Sequence, residues 1–491
     1  MEHLLRAWQV AARLGRHVGL PEGEQPALFH VAMLAWVGCV ADAPEVAASF
    51  GDDIAFRADS YDADLGGLPG FAFFLSHAGA DRPLPQRLLA VATLVASGGS
   101  RVARGIQGHC LTTSTLADQL GLGPEISLAL RQFFARWDGG GVPRGVGGEQ
   151  LPLQVRLFHL ADVVEVHHRR GGVPAAVEVA KARRGKQFDP ALVDAFCEIA
   201  GEILPSDDDG YDAHELIAAQ PALARPLLEE QLDTALVALA DFTDLRCTSR
   251  AGHSRGVADL ARAASGLLRL STPDAVAVYR AGLVHDIGLH GVSITILDKP
   301  TSLTGVERER LRASSYYTER VLARPRALAR LGAIAGFAHE RMDGTGYHRG
   351  VIGTAIPMSG RILAAACAFH ELVEPRAGRP ALSVKQAATR IRGEVAAGRL
   401  DQAAADAVLA AAGAGSRRPV AGPAGLTARE VEVLVLIAHG MATSDVARQL
   451  GISRKTAGTH IERIYTKTGA SSRSTATLFA LRHGLLDPLD L

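Results

Sequence analysis

Apolar residues recur three and four positions apart along most of this chain of 491 residues, and segments that alternate apolar with polar residues are few. The first spacing places apolar side chains on one face of an α-helix, whereas alternation is typical of a half-buried β-strand. Aromatic residues, which favour strands, make up only 5% of the chain. The pattern therefore predicts an all-α protein.

One such helix is predicted near the C-terminus, where local chemistry defines both of its ends. Thr427 and Glu430 have the spacing of a capping box, which begins a helix. Gly440 is suited to end it, because glycine readily adopts the left-handed conformation that follows many helices. The apolar positions between them share one face and are expected to be buried: Val431, Leu434, Val435 and Ala438.

Two further helices are expected after this one. A short helix is predicted from Ser444 to Leu450, and Gly451 interrupts the pattern there. Ser453 then stands at an N-cap position, before a helix predicted from Arg454 to Thr468. Helices in this order, joined by tight turns, indicate a helix-turn-helix.

The segment from Gly425 to Leu485 resembles the LuxR-type helix-turn-helix family over its whole length. The resemblance implies a four-helix domain, residues 425–491, whose third helix enters the major groove of double-stranded DNA. It also implies that the start of this helix faces phosphates, which helix N-termini favour. The expected DNA contacts are Ser453, Lys455, Thr456, Gly458, Thr459, Glu462, Arg463 and Lys467.

Charge indicates how such a domain would bind. The whole chain has a formal net charge of zero, so no global positive field attracts nucleic acid. From Gly425 onward, eight Lys and Arg residues accompany six Asp and Glu residues. This small excess predicts weak binding by one copy, and we therefore expect a homodimer on paired half-sites. Glu462 suits the amino group of cytosine, and Arg463 suits guanine.

The rest of the chain contains an internal repeat. The ten residues from Arg136 align with the ten from Arg341, and six of these positions are identical. The starts of the copies correspond at a different offset, because His3 aligns with His253. The difference predicts about 45 extra residues in the first copy, between Asp42 and Arg104. Two copies indicate two related helical domains, since stacked repeats normally need three or more.

Composition suggests the domain boundaries. We expect a first helical domain over residues 1–204 and a second over 230–413. An acidic, turn-rich segment at 205–229 would link the two domains. A Gly-rich segment at 414–424 would link the second domain to the helix-turn-helix.

The second copy resembles the HD-GYP branch of the HD phosphohydrolase superfamily from Leu232 to Gly413. The resemblance rests on His253, the doublet His285-Asp286, the stretch 297–300, and the run from His339 to Tyr347. It implies a helical domain that holds two or three metal ions and hydrolyses cyclic di-GMP. Neutral imidazole and carboxylate ligands suit iron or manganese and leave positions open for a nucleophilic water.

Several positions depart from the family pattern. Leu289, Ser314, Ala338 and Cys367 stand where the family has a lysine or metal ligands. The remaining candidate ligands are His253, His285, Asp286 and His339, with Cys367 as a fifth. We expect these residues to hold at most one divalent ion, iron or manganese. The alternative is a hydrogen-bonded cluster that only maintains the fold, and we favour this alternative.

The first copy has lost more of the pattern. His3 and Asp162 remain, but Ala35 and Trp36 replace the His-Asp doublet. Two isolated candidate ligands do not make a metal site. We expect Trp36 to fill the volume that metals occupy elsewhere, so this copy is interpreted as a binding or dimerisation module.

Cysteine usage and hydropathy indicate the compartment. Five cysteines are scattered without a CxxC pair, and no signal peptide is recognisable. This pattern predicts reduced thiols in the cytoplasm. The longest apolar run, Ala27 to Ala41, is too short to cross a bilayer. We expect it to be a buried helix and expect no membrane association.

These expectations combine into a cytoplasmic DNA-binding transcriptional regulator whose HD-GYP-like domains sense a small-molecule or nucleotide ligand or mediate dimerisation. Two alternatives remain open. One is a metal-dependent phosphohydrolase, similar to cyclic di-GMP phosphodiesterases, with a DNA-binding domain attached. The other is a constitutive DNA-binding scaffold in which both copies only dimerise.

Overall fold

The structure, a computed structural model, describes residues 2–80, 82–97, 99–204, 227–376, 379–413 and 423–486, together with Ile217 and Leu223. Within these ranges the chain forms helices and turns but no β-strand, as the apolar spacing predicts. It divides into two compact units, Met1–Gln231 and Leu232–Leu491. Most of the two predicted linkers, 205–229 and 414–424, lies outside the described residues.

The first unit is built from ten α-helices in its described part. They are α1 Glu2–His17, α2 Gln25–Leu34, α3 Cys39–Phe50, α4 Asp53–Asp59, α5 Gly67–His77, α6 Leu84–Ala96, α7 Ser100–Gln119, α8 Pro124–Arg131, α9 Leu153–Ala182 and α10 Pro190–Ile203. α1, α9 and α10 contribute most of its main core, around the fully buried Phe158 and Phe196. α9 contains a kink at Gly171 and Gly172, where the backbone leaves the helical conformation.

The second unit has thirteen α-helices among its described residues. Nine precede the helix-turn-helix: α11 Glu229–Asp244, α12 His253–Leu267, α13 Thr272–Val284, α14 Ile294–Leu297, α15 Gly305–Ala323, α16 Ala329–Ala335, α17 Met358–Val373, α18 Val384–Ala396 and α19 Gln402–Gly413. The last four are α20 Ala428–Ala438, α21 Thr443–Gln449, α22 Arg454–Thr468 and α23 Arg473–Arg482.

Hydrogen bonds at equivalent places support the internal repeat. In each unit a backbone hydrogen bond between a glycine amide and a carbonyl oxygen closes the loop that contains Asp-Gly. An arginine of the helix that follows this loop forms an ion pair with an aspartate in each unit. The pairs are Gly148–Trp137 and Gly353–Met342 (2.9 Å each), Arg156–Asp189 (2.7 Å) and Arg361–Asp401 (3.0 Å). The two copies thus share a loop architecture that does not depend on the candidate metal ligands.

The helix-turn-helix begins and ends close to the predicted positions. Thr427 and Glu430 form the capping box, with the amide of Glu430 3.2 Å from the Thr427 hydroxyl. Gly440 adopts a φ of +86°, which few other residues tolerate. Ser453 caps α22 and accepts a hydrogen bond from the amide of Thr456 at 3.0 Å.

The buried face of α20 is broader than the predicted stripe. Val431 and Val435 are only half-buried, whereas Val433, Leu436 and Ile437 are buried. Spacing alone located one apolar face, but this helix is covered on more than one side.

The fourth helix, α23, also packs on two sides. Ala476 and Ala480 join the helix-turn-helix core. Leu481 is buried on another side, where its Cδ2 lies 3.5 Å from the position a Cβ atom would take at Gly252. Gly252 immediately precedes α12. The helix-turn-helix therefore contacts the residues that carry the start of α12.

One apolar stretch, Glu22–Phe50, is long and apolar enough to cross a membrane by length and composition. Half of its most apolar 18-residue window is buried inside the structure. It forms α2 and α3 with a turn between them rather than the single buried helix expected from the run of Ala27 to Ala41. Partial burial and the turn are typical of core helices in a folded unit.

The crossing of α12 and α13 depends on a glycine, which generates a stability prediction. A Cβ atom at Gly282 would lie 2.7 Å from the Cα of Ala258, whereas nothing lies within 4 Å of one at Gly266. We expect Gly282→Ala to lower the free energy of unfolding by about 1–3 kcal/mol through overpacking. Gly266→Ala should leave it unchanged or raise it by up to about 1 kcal/mol. Urea unfolding measures both, and equal effects would contradict the proposed close packing.

Candidate functional site

The five predicted ligands of the second unit come together in its interior. His253 begins α12, His285 and Asp286 follow α13, His339 follows α16, and Cys367 lies in α17. All five are buried, with exposed fractions of 6% or less. The structure thus brings together side chains that lie up to 114 positions apart in the sequence.

Asp286 is the centre of this cluster. Its Oδ1 lies 3.1 Å from Nε2 of His339, and its Oδ2 lies 3.4 Å from Nε2 of His285 and 3.6 Å from Nε2 of His253. Nδ1 of His285 lies 2.7 Å from the carbonyl oxygen of Gly282. This bond orients the ring so that Nε2 faces the cluster, as in metal-binding histidines.

An arginine that the sequence pattern did not identify occupies the same space. The guanidinium of Arg250 forms an ion pair with Oδ2 of Asp286 and lies 3.8 Å from Glu371. Burial alone would raise the pKa of Asp286, but Arg250, His285 and His339 hold that pKa well below its usual range. Arg250 therefore supplies a positive charge at the carboxylate that a metal ion would otherwise bind.

The residues present do not fit a two-ion hydrolytic centre. Leu289 is buried where the family pattern has a lysine, and Ser314 and Ala338 are buried where it has histidines. Cys367 lies 3.7 Å from Nε2 of His285. Burial, together with nearby carboxylates, raises its pKa well above the usual value. A sulfur donor in place of a carboxylate does not reproduce an oxygen-rich iron or manganese centre, so the remaining donors suit one ion at most.

A cavity of about 190 Å³ opens beside this cluster. Its lining includes three cationic side chains, Arg250, Lys299 and Arg376, each of which is paired with a carboxylate. Tyr347 also lines it and stacks on His339, with ring centroids 4.5 Å apart. The volume is below the range of about 300–1,000 Å³ usual for whole ligands, so the cavity suits part of a nucleotide rather than all of it.

A second group of donors lies next to the first. Nδ1 of His253 is 2.8 Å from one oxygen of Glu374, and Nδ1 of His370 is 2.9 Å from the other. The sequence pattern did not identify His370 and Glu374. Their spacing of four positions, which places them on one side of a helix, was the available signal.

The equivalent region of the first unit is filled by side chains. His3 contacts both Asp162 and Glu165, with Nε2 of His3 2.9 Å from Asp162. The indole nitrogen of Trp36 donates to the same carboxylate at 3.3 Å, and the hydroxyl of Tyr61 lies at 3.4 Å. The sequence placed His3 and Asp162 as isolated ligands, whereas the structure joins them.

The candidate DNA-reading helix, α22, presents most of its predicted contacts to solvent. Ser453, Lys455, Thr456, Thr459, Glu462 and Arg463 are exposed, and Gly458 is half-buried. Ala457 and Ile464 face inward and hold the helix on the helix-turn-helix core. Exposed cations on one helix and buried alanine and isoleucine on its other side suit a helix that enters a groove.

Lys467 differs from the other predicted contacts because it is engaged within the chain. Its ammonium group donates to Glu430 at 2.7 Å and to the carbonyl of Gly425 at 3.0 Å. Arg454, which was not among the predicted contacts, is exposed and has no ion-pair partner in the described part of the chain. Its place in the first turn of α22 makes it an additional candidate for a phosphate contact.

Comparison with protein families assigns both parts of the second unit. Residues 238–404 match the family described as HD domain, and residues 424–480 match the family described as bacterial regulatory proteins, luxR family. The chain carries an HD domain followed by a LuxR-type helix-turn-helix domain. HD domains generally bind divalent metals, so the donor groups described above are the candidate metal-binding residues of this HD domain.

Known relatives extend the similarity beyond the HD domain. A 3'3'-cGAMP-specific phosphodiesterase 3 of Vibrio cholerae is 29% identical over 392 residues, which cover 79% of this chain and 85% of that protein. A crystal structure of a cyclic GMP-AMP-specific phosphodiesterase of V. cholerae matches with a TM-score of 0.56 and 25% identity, covering 84% of this chain and 93% of that one.

The LuxR-type domain has relatives of its own. It is 42% identical over 60 residues to an uncharacterized transcriptional regulatory protein of Bacillus subtilis, which is 12% of this chain and 28% of that protein. The similarity to transcriptional regulators is thus confined to this domain, whereas the similarity to the phosphodiesterase covers most of the chain.

The charged cluster of the first unit generates a pH prediction. Burial lowers the pKa of His3, but Asp162 and Glu165 more than offset this effect and raise the pKa to about 9 from 6.5. The protonated His3 therefore stabilises the fold fully below about pH 6.5, and this stabilisation is lost as the pH rises through 9. We expect the melting temperature to fall over this interval, and less steeply in His3→Gln. The exposed His17→Gln serves as control, and equal slopes in all three proteins would exclude the assigned role.

Proposed function

We propose that this protein is a DNA-binding transcriptional regulator whose HD domain senses a nucleotide. The observation that carries the proposal is that the LuxR-type domain packs beside the HD cluster. Leu481 lies over Gly252, which precedes the candidate ligand His253. His439, at the end of α20, is buried and close enough for the charges of Glu374 and His370 to act on it. A change at the cluster thus has a short route to the DNA-binding domain.

The cluster itself favours sensing over catalysis. Arg250 neutralises Asp286, and the positions at Leu289, Ser314 and Ala338 lack the groups that a two-ion centre needs. Hydrolysis of a phosphodiester by such a centre requires two ions about 3.5–4 Å apart. A fixed guanidinium can bind a phosphate without providing a nucleophile. The arrangement therefore supports binding rather than turnover.

The ligand class follows from the cavity and the relatives together. Lys299, Arg250 and Arg376 provide guanidinium and ammonium groups suited to phosphates. A relative that covers most of this chain acts on 3'3'-cGAMP, as its name states. We propose a cyclic dinucleotide as the ligand, with one of its phosphates at this cavity. We also propose a cytoplasmic location and a homodimer, since the LuxR-type domain has a charge excess of only two.

A metal-dependent cyclic dinucleotide phosphodiesterase is the second candidate. It is favoured by the similarity to one V. cholerae phosphodiesterase over 79% of the chain. His285, Asp286 and His339 are the groups that such an enzyme would retain. The Arg250–Asp286 ion pair stands against this candidate, because a metal ion at Asp286 would have to displace it.

The role of α22 generates a prediction for DNA binding. Phosphate contacts position a protein and base contacts specify the sequence, so Lys455→Ala should weaken binding to all DNA sequences alike and flatten the salt dependence. Arg463→Ala should instead reduce discrimination at one base pair by about 1–3 kcal/mol. Fluorescence anisotropy with operator and random DNA measures both. Arg392→Ala, an exposed cation on α18, is the control. Equal losses on both DNAs for Arg463→Ala would remove it from the base-reading face.

The cavity generates a prediction for the ligand. Lys299→Met should weaken 3'3'-cGAMP binding by about tenfold or more, since a hydrogen bond to a charged group contributes about 1.5–3 kcal/mol. The exposed Arg310→Met should bind as the wild type does. Calorimetry on the full chain measures this affinity, and the ligand should also shift the affinity for DNA.

The same preparation distinguishes the two candidate functions. Incubated with manganese or iron, the wild type should release no more linear dinucleotide than the His285→Ala, Asp286→Ala double variant. Product formed by the wild type and abolished in the double variant would establish the phosphodiesterase and refute the regulator-only proposal.

A further inference from the structure

Three donor groups from separate parts of the HD domain meet at one point beside the Asp286 cluster. Nδ1 of His253 and Nδ1 of His370 lie 3.3 Å apart. Each is also within 2.9 Å of a different oxygen of Glu374. His253 starts α12, while His370 and Glu374 lie at the end of α17. Two imidazoles and one carboxylate thus converge with their donor atoms facing each other.

The spacing of these atoms suits a metal ion. Donors bound at about 2.0–2.2 Å from zinc or a similar ion lie about 2.8–3.4 Å from each other, for angles between 90° and the tetrahedral value. The two Nδ1 atoms lie 3.3 Å apart, and the distances of 2.8 and 2.9 Å run to different oxygens of Glu374, so all three fall in this interval with both carboxylate oxygens facing the ion. Two imidazole nitrogens and a carboxylate are also the ligand set of known catalytic zinc sites.

Hydrogen bonds alone leave this group incompletely satisfied. Oε1 of Glu374 has no partner with hydrogen-bond geometry, although Nδ1 of His370 lies 2.9 Å away. Nδ1 of His253 faces the other oxygen, Oε2, at 2.8 Å. The exposed fractions of the three residues are 2% or less. Buried polar atoms are normally satisfied, so an additional group at this point would explain the arrangement.

The surrounding chain makes room for His370. A Cβ atom at Gly256 would lie 1.9 Å from Nε2 of His370 and 2.5 Å from its Cε1. Only glycine at this position of α12 permits the ring to stand where it does. This close approach of α12 to the His370 ring occurs beside Glu374 and does not involve Asp286.

Charge also favours a cation here. The carboxylates of Asp286, Glu371 and Glu374 all act on the buried Arg250. Arg376 is held by Glu371. Arg250 is committed to Asp286, and Arg379 reaches Glu374 only at its backbone carbonyl oxygen, at 3.3 Å. Glu374 therefore has histidines, not a guanidinium, as its closest partners.

We propose that His253, His370 and Glu374 form a binding site for one divalent transition-metal ion beside the Asp286 cluster, with which the site shares His253 through the other ring nitrogen. Its three ligands contain nitrogen and oxygen only, whereas any ion held with Cys367 would have a sulfur ligand. The site lies next to His439 of the LuxR-type domain, both of whose ring nitrogens lack partners. The proposal does not depend on the proposed function, because a regulator and an enzyme would both accommodate it.

Cobalt(II) binding to the full chain tests the site. Chelator-treated protein is titrated with Co²⁺ and followed by calorimetry and visible absorption. We expect one ion to bind with d–d bands and no sulfur-to-metal charge-transfer band. His370→Gln and Glu374→Gln should each weaken this binding by about 100-fold or more, because even changes to groups behind the ligands cost about 10–100-fold.

Matched variants separate this site from its neighbour. His339→Gln and Cys367→Ser alter the Asp286 cluster by similar substitutions and should leave the Co²⁺ affinity and spectrum unchanged. Circular dichroism identifies any variant that fails to fold. If His370→Gln does not fold, the Co²⁺ affinity of Glu374→Gln, which keeps the shape of the side chain, decides whether the site exists. The proposal is overturned if the wild type binds no Co²⁺. It is also overturned if His370→Gln and Glu374→Gln bind as the wild type does, or if a sulfur band appears and is lost in Cys367→Ser.

Discussion

The buried ion pair between Arg250 and Asp286 is the constraint on which the rest of the HD domain depends. Removing a carboxylate and a guanidinium from water costs several kcal/mol for each group, and only close pairing and further hydrogen bonds offset this cost. Asp286 meets the requirement by contacting Arg250 on one oxygen and His339 on the other. Burial and Arg250 lower the pKa of His253 to about 3, so this histidine is neutral near pH 7.

This ion pair also divides the interior into two chemically different places. On the side of Asp286 and Cys367, the positive charge is already present as a guanidinium, and the open cavity lies against it. On the side of Glu374, two imidazole nitrogens face a carboxylate without such a charge. A ligand that carries phosphate suits the first place, and a metal cation suits the second. Both can be occupied in one domain without competing for the same atoms.

Local chemistry made the helix-turn-helix predictable from the sequence. The capping box at Thr427, the left-handed Gly440 and the N-cap at Ser453 each act over a few residues, so their positions can be read without knowing the fold. The burial of Val433 and Leu436 could not be predicted in this way. It depends on packing that the spacing of apolar residues within α20 does not encode.

The candidate site likewise contains residues that the sequence identified and residues that only the folded structure reveals. The resemblance to HD domains identified His253, His285, Asp286, His339 and Cys367, and these residues do meet. Arg250 and Glu374 could not be placed by that resemblance, because each acts through contacts between segments far apart in the chain. In the first unit, the sequence identified His3 and Asp162. The contacts of His3 with Glu165 and of Tyr61 with Asp162 depend on tertiary packing, which the sequence pattern does not show.

The position of α23 has a consequence for how the chain can change over evolution. Ala476 and Ala480 hold this helix in the DNA-binding domain, while Leu481 holds it against the start of α12. A substitution that loosens the second contact frees the DNA-binding domain and at the same time removes buried surface from the HD domain. If the proposed sensing function holds, the same contact sets both the response to a ligand and the stability of the fold, so variants that respond more readily would also unfold more easily.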